Sequence, residues 1–132
     1  MSLLGVDELE FESYEYFHDK IRKFPTNPDG SINYRKAKLQ NNDVDAFRHA
    51  YVSGVFAQRY GKRAAKLLGW LNEFFNVGQP PAEENMDFWN NYVGISYGKK
   101  CRSKAKLVDL LKQALINGEL ITGVPAILLT PS

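Results

Sequence analysis

The chain has 132 residues, of which 44% are hydrophobic, 24% charged and 13% aromatic, with a formal net charge of +2. That is one domain's worth of chain with enough apolar material for a core, which excludes a mainly disordered protein, a collagen-like repeat and a disulfide scaffold. Lys and Arg together number 17 against 15 Asp and Glu, too even a balance to point to nucleic acid or an anionic membrane by itself.

Tyr14, Phe17, Ile21 and Phe24 recur at helical spacing, so a first helix is predicted from Asp7 to Phe24, stopped by Pro25. Its acidic start and its basic end at Lys20, Arg22 and Lys23 complement the helix dipole. A long loop follows to Asn42, with a turn signal at Pro28-Asp29-Gly30. Asn42 is the expected cap of a second helix running from about Asp43 to Tyr60 and ending at Gly61. Val44, Phe47, Tyr51 and Val55 form one apolar stripe of that helix, and Val52 and Phe56 a second, so it is predicted to be central. A third helix is predicted from about Arg63 to Asn76, carrying Leu67, Leu68, Leu71, Phe74 and Phe75. Gln79-Pro80-Pro81 separates it from a fourth, about Glu83 to Tyr97, with Phe88, Trp89, Tyr92 and Val93. Ser103 caps a fifth, which Gly118 closes after Asn117. The tail, Leu120 to Ser132, reads as extended, either an edge strand or an arm docked on the helices. The expected fold is all-α, an orthogonal array of about five helices with an extended C-terminal tail, forming a single domain over residues 1–132.

Cys101 is the only cysteine, which rules out an intrachain disulfide and a Cys-rich zinc site and fits a reducing compartment. It reads as an ordinary thiol, since no histidine lies near it in the sequence. Asp7, Glu8, Glu10 and Glu12 stand where a signal peptide needs a basic start, and no apolar run approaches the roughly 18 residues of a membrane span. The expectation is a soluble protein, cytoplasmic or exported as an effector without a recognisable signal peptide. Met1-Ser2-Leu3 is compatible with a cloning remnant, in which case a natural N-terminal extension is missing.

Several polar residues break the apolar pattern. Asp45 and His49 are spaced to meet on one helix face, with Arg48 on the same side. A carboxylate one turn before a histidine fixes its tautomer and raises its basicity, as it does for catalytic and metal-binding imidazoles. The plain alternative is a satisfied core histidine beside a helix-start aspartate. Asp87, Asn90 and Asn91 lie at i, i+3 and i+4 among the aromatics of helix four, where burial is costly unless each is partnered. They mark either a site or a network locking helix four onto helix two. Glu73 adds a third carboxylate. Asp45, His49, Glu73 and Asp87 would together suit a general base or a divalent metal with oxygen and nitrogen ligands. His18 is expected at the surface or the core edge, and the basic runs around Lys36 and from Lys99 to Lys106 as solvated faces. No phosphate loop, nucleophile elbow or zinc spacing is present.

The run Asn42-Asp43-Val44-Asp45-Ala46-Phe47-Arg48-His49-Ala50-Tyr51, followed by Glu73 and by Met86-Asp87-Phe88-Trp89-Asn90-Asn91-Tyr92-Val93-Gly94, resembles an uncharacterised bacterial and phage family of helical proteins. Its members carry a D-x-x-R-H-A-[YF] helix, a later Glu and an M-D-x-x-N-N-x-x-G helix, alone or as C-terminal modules of secreted, toxin-like proteins. The resemblance covers residues 42 to 98. It implies that Asp45, Arg48, His49, Glu73, Asp87, Asn90 and Asn91 belong to one site, and it supplies no reaction.

The expected function is a hydrolase-like or toxin-effector-like domain acting on a phosphodiester or ester. His49 is the expected general base, held by Asp45, with Arg48 stabilising negative charge and Asp87 and Asn91 orienting His49, water or substrate. Glu73, Asn90, Trp89 and Tyr51 are expected around the substrate, whether a small molecule or a polymer. The residues single out no cofactor, no particular metal and no oligomeric state. The rival expectation is a non-enzymatic interaction domain whose polar cluster is a structural network.

Overall fold

A computed structural model describes residues 5–75 and 81–122, the side chains of 69–75 and 81–85 excepted. Among these residues the order is α1 (Val6–Lys20), α2 (Asn42–Tyr60), α3 (Lys62–Phe75), α4 (Pro81–Gly98) and α5 (Lys104–Ile116). The five expected helices are present, and the described residues contain no strand beyond an isolated bridge between Thr26 and Ile32.

The doubly striped α2 is the central element. It packs against all four other helices, most extensively against α4. From Val44 to Ala57 every residue of α2 is buried except Asp45 and Arg48, which are partly exposed. The α2–α4 contact is made by backbones. Gly94 lies against the backbone of Ala50, and Gly98 against that of Gly54. A Cβ at either position of α4 would overlap a carbonyl oxygen of α2, so only glycine permits this approach.

Two boundaries differ from expectation. α1 ends at Lys20, because Ile21 N–H and Arg22 N–H both donate to the Phe17 carbonyl and the chain turns away. Phe24 nevertheless joins the core, stacking on Phe17, while its N–H donates to His18 Nδ1 at 2.8 Å. His18 is thereby buried, on the core side of the edge position expected for it. The cap of α2 is Asn41, one residue before the expected Asn42. At α5 the expectation holds: Ser103 Oγ accepts from Lys106 N–H, and Gly118 follows the last turn at φ 77°.

α4 is turned in a way that its sequence does not announce. Its polar residues Asp87, Asn90 and Asn91 are buried, whereas Phe88, Trp89 and Tyr92 are exposed. That outer face carries the chain after α5. Trp89 Nε1 donates to the Glu119 carbonyl at 2.7 Å, and Asn90 both accepts from Ile121 N–H at 2.8 Å and donates to its carbonyl at 2.9 Å. The expected tail beyond Thr122, the predicted helix-three end at Asn76 and the Glu73 side chain lie outside the described residues. No helix among the described residues is long and apolar enough to cross a membrane.

Candidate active site

Three elements meet beside the first turns of α2. Asp45, Arg48 and His49 occupy one side of α2, Asp87 and Asn91 face it from α4, and Glu10 reaches it from α1. His49 is buried, and its Nε2 lies 3.1 Å from Asp87 Oδ1 and 3.5 Å from Asp45 Oδ2. Arg48 Nη2 lies 2.7 Å from Asp45 Oδ1 and 3.0 Å from the same His49 nitrogen. Arg48 Nη1 donates to Glu10 Oε2. Thus Glu10 and Asp45 both bind the one guanidinium, while Asp45 and Asp87 flank the imidazole nitrogen.

Burial by itself would raise the Asp45 carboxyl, but the His49 hydrogen bond and the His49 and Arg48 charges prevail and hold it at about 2. Burial by itself would lower the Arg48 guanidinium, and the attraction of Asp45 and Glu10 outweighs it, so that its pKa is raised and it stays charged. A crevice opens on this cluster. Val6, Glu10, Arg48, His49, Val52, Ser53, Leu68 and Asn91 line it, and it measures about 310 Å³ including its open mouth. Its floor is narrow, with room for about one water molecule beside polar groups that would hold it.

Of the residues singled out in the sequence, Asp45, Arg48, His49, Asp87 and Asn91 are brought together. Asn90 is not. It is one residue from Asn91, about 100° around the helix, and its amide is spent on the backbone of Ile121. Trp89 is on the outer face of α4. Tyr51 is fully buried on another side of α2, packed on Phe47 and Tyr16, with its hydroxyl donating to Glu12 Oε1 at 2.8 Å. Burial and the Glu12 carboxylate push that phenol upward, away from any proton-transfer role near neutral pH.

Sequence reasoning singles out neither Glu10, which joins the cluster, nor Glu12, which binds Tyr51 and Lys104, as a site residue. Partners separated by 38 positions leave no local spacing signal.

Glu12 gives a pH prediction away from the crevice. Burial would raise its carboxyl, but the hydrogen bonds from Lys104 and Tyr51 prevail and lower it. A depressed folded-state pKa gives stability that is present above the unfolded value and lost as pH falls through the folded one. Glu12→Gln should therefore cost about 0.5–1 kcal/mol near pH 7, a value kept small by solvent screening. The cost should vanish as pH falls through the lowered folded-state value, as read from urea melts across pH.

A family model described as a domain of unknown function, DUF6973, matches residues 27–119. The chain belongs to the DUF6973 family. No curated protein and no solved structure matches it. The DUF6973 match spans α2 to α5 and so includes every member of the cluster except Glu10. α1, which supplies the second partner of Arg48, precedes the matched region.

Proposed function

We propose that the chain is a hydrolase-like domain whose Asp45, Arg48, His49, Asp87 and Asn91 act on an ester or phosphodiester. The observation that carries this reading is a buried imidazole with two carboxylates at its Nε2, lining a crevice together with Arg48 and Asn91. Carboxylates so placed keep the ring in one orientation, and an imidazole so held is suited to take up a proton from water. The water oxygen bonds to the carbonyl carbon or phosphorus, the bond to the leaving oxygen breaks, and that oxygen receives the proton. Arg48 neutralises charge developing on the attacked group, which suits an anionic substrate. The crevice floor has room for about one water, so the substrate lies across the mouth. The effector reading of this activity draws support from the resemblance of its two motif helices to modules of toxin-like proteins.

The test compares the full chain with His49→Asn on para-nitrophenyl acetate and bis-para-nitrophenyl phosphate. It also compares growth of cells expressing each protein in the cytoplasm and in the periplasm. Turnover or growth arrest by the wild type should fall at least about 100-fold, or disappear, in the variant. Equal behaviour of the two folded proteins contradicts the reading.

One observation favours the interaction-domain alternative. Phe88, Trp89 and Tyr92 are exposed on α4, the rings of the last two in contact, and contiguous exposed apolar surface is where partners bind. On that reading Tyr92→Ala, not His49→Asn, removes the growth phenotype.

A further inference from the structure

We infer that Asp45, His49 and Asp87 form a binding site for one divalent transition-metal cation, with His49 Nε2 and one carboxylate oxygen of each aspartate as ligands. This rests on the cluster being the working site and replaces proton uptake by His49 with a metal-bound water.

The geometry fits a single ion. One ligand atom from each residue lies within 4.8 Å of the others. The His49 nitrogen stands 3.1 and 3.5 Å from the two carboxylate oxygens. That is close to the edge, about 3.4 Å, of a tetrahedron of ligands about 2.1 Å from a central ion.

The hydrogen bonding of Nε2 points the same way. A proton on Nε2 suits Asp45 and Asp87 but sets N–H against the N–H of Arg48, 3.0 Å away. A lone pair on Nε2 suits Arg48 but faces two carboxylates with no proton between them. One proton on Nε2 serves one carboxylate at a time, whereas a cation bonded to its lone pair and to both carboxylates serves both. Arg48 has somewhere to go, because Glu10 and the other oxygen of Asp45 already bind it.

The donor set agrees as well. One imidazole and two carboxylates make a mixed donor set that suits manganese, iron or zinc better than calcium or magnesium, which prefer oxygen alone. Three protein ligands leave a coordination position open, and the crevice that His49 lines has room for about one water.

The experiment uses the full chain stripped with EDTA, then titrated separately with Mn²⁺, Zn²⁺ and Mg²⁺ and followed by calorimetry and melting temperature. The inference predicts one Mn²⁺ or Zn²⁺ per chain, and a rise in melting temperature of about 5–10 °C at a hundredfold excess over Kd. Mg²⁺ should give little, and Asp87→Asn and Asp45→Asn should each weaken binding at least about tenfold. Co²⁺ should give a visible absorption band typical of low coordination in the wild type and none in His49→Asn. Absence of binding to the wild type, or equal binding by all three variants, overturns the inference. Hydrolysis that persists in EDTA and depends on His49 also overturns it while leaving the proposed function standing. Metal binding at these residues with no turnover of either chromogenic substrate sustains the site and counts against that function.

Discussion

Gly94→Ala should cost at least about 3 kcal/mol, enough to leave little folded protein at 37 °C. The methyl group would overlap the carbonyl oxygen and neighbouring backbone atoms of Ala50, and backbone has no alternative rotamer with which to yield. The only relief is separation of α2 from α4, the most extensive helix contact in the structure. That separation would also part His49 from Asp87 and uncover the core around Ala50. Gly61→Ala is the control. Nothing lies within 4 Å of a Cβ there, but φ is 92°, so the loss should be confined to backbone strain of about 1–2 kcal/mol. Urea denaturation followed by circular dichroism measures both. A Gly94→Ala protein as stable as the wild type would mean that α2 and α4 do not meet along their backbones.

The second large effect is expected from Arg48→Ala, which should lose about 3–4 kcal/mol in the presence of EDTA. Truncation at the surface rarely costs so much. Here it leaves Glu10 and Asp45 without the guanidinium that both of them bind. The packing of the Arg48 stem against the crevice wall is lost too. Adding Glu10→Gln should recover about 1 kcal/mol by removing one of the stranded carboxylates, a coupling read from a double-mutant cycle. Additive losses would show that Arg48 and Glu10 act independently.

The parts of the fold that the sequence made legible are those where local chemistry decides. Gly61 and Gly118 ended helices because they supply positive φ, and Ser103 began one because its hydroxyl takes an orphan N–H. The double stripe of α2 announced a central helix because apolar residues on two sides need neighbours on two sides. α1 misled because Phe24 keeps the helical spacing while leaving the helix; it is held by a histidine ring nitrogen that periodicity cannot register.

The site was legible wherever its members share a helix. Asp45, Arg48 and His49 follow from i, i+3 and i+4 spacing, and Asp87 with Asn91 likewise. Asn90 and Asn91 differ by one position, and only the path of residues 119–121 across α4 decides which of them reaches the crevice. Glu10 was illegible for a different reason. Its partner lies on another helix, and a helix-start glutamate has an adequate local explanation. The orientation of α4 was ambiguous as well, since aromatic and amide residues surround it on all sides and hydrophobicity alone would have turned Trp89 inward.

The central claim is that the His49 cluster is kept for a function and works against stability. Melting of Asp87→Asn beside the wild type, both in EDTA near pH 7, tests it without knowledge of a substrate. Asparagine preserves the shape and the acceptor oxygen facing His49, and removes one of the two carboxylate charges at its Nε2. The account predicts a variant that melts at the wild-type temperature or up to about 5 °C above it, as relief of a functional site does. A loss of more than about 3 kcal/mol, the cost of breaking a stabilising buried pair, would contradict it and make the cluster a structural network.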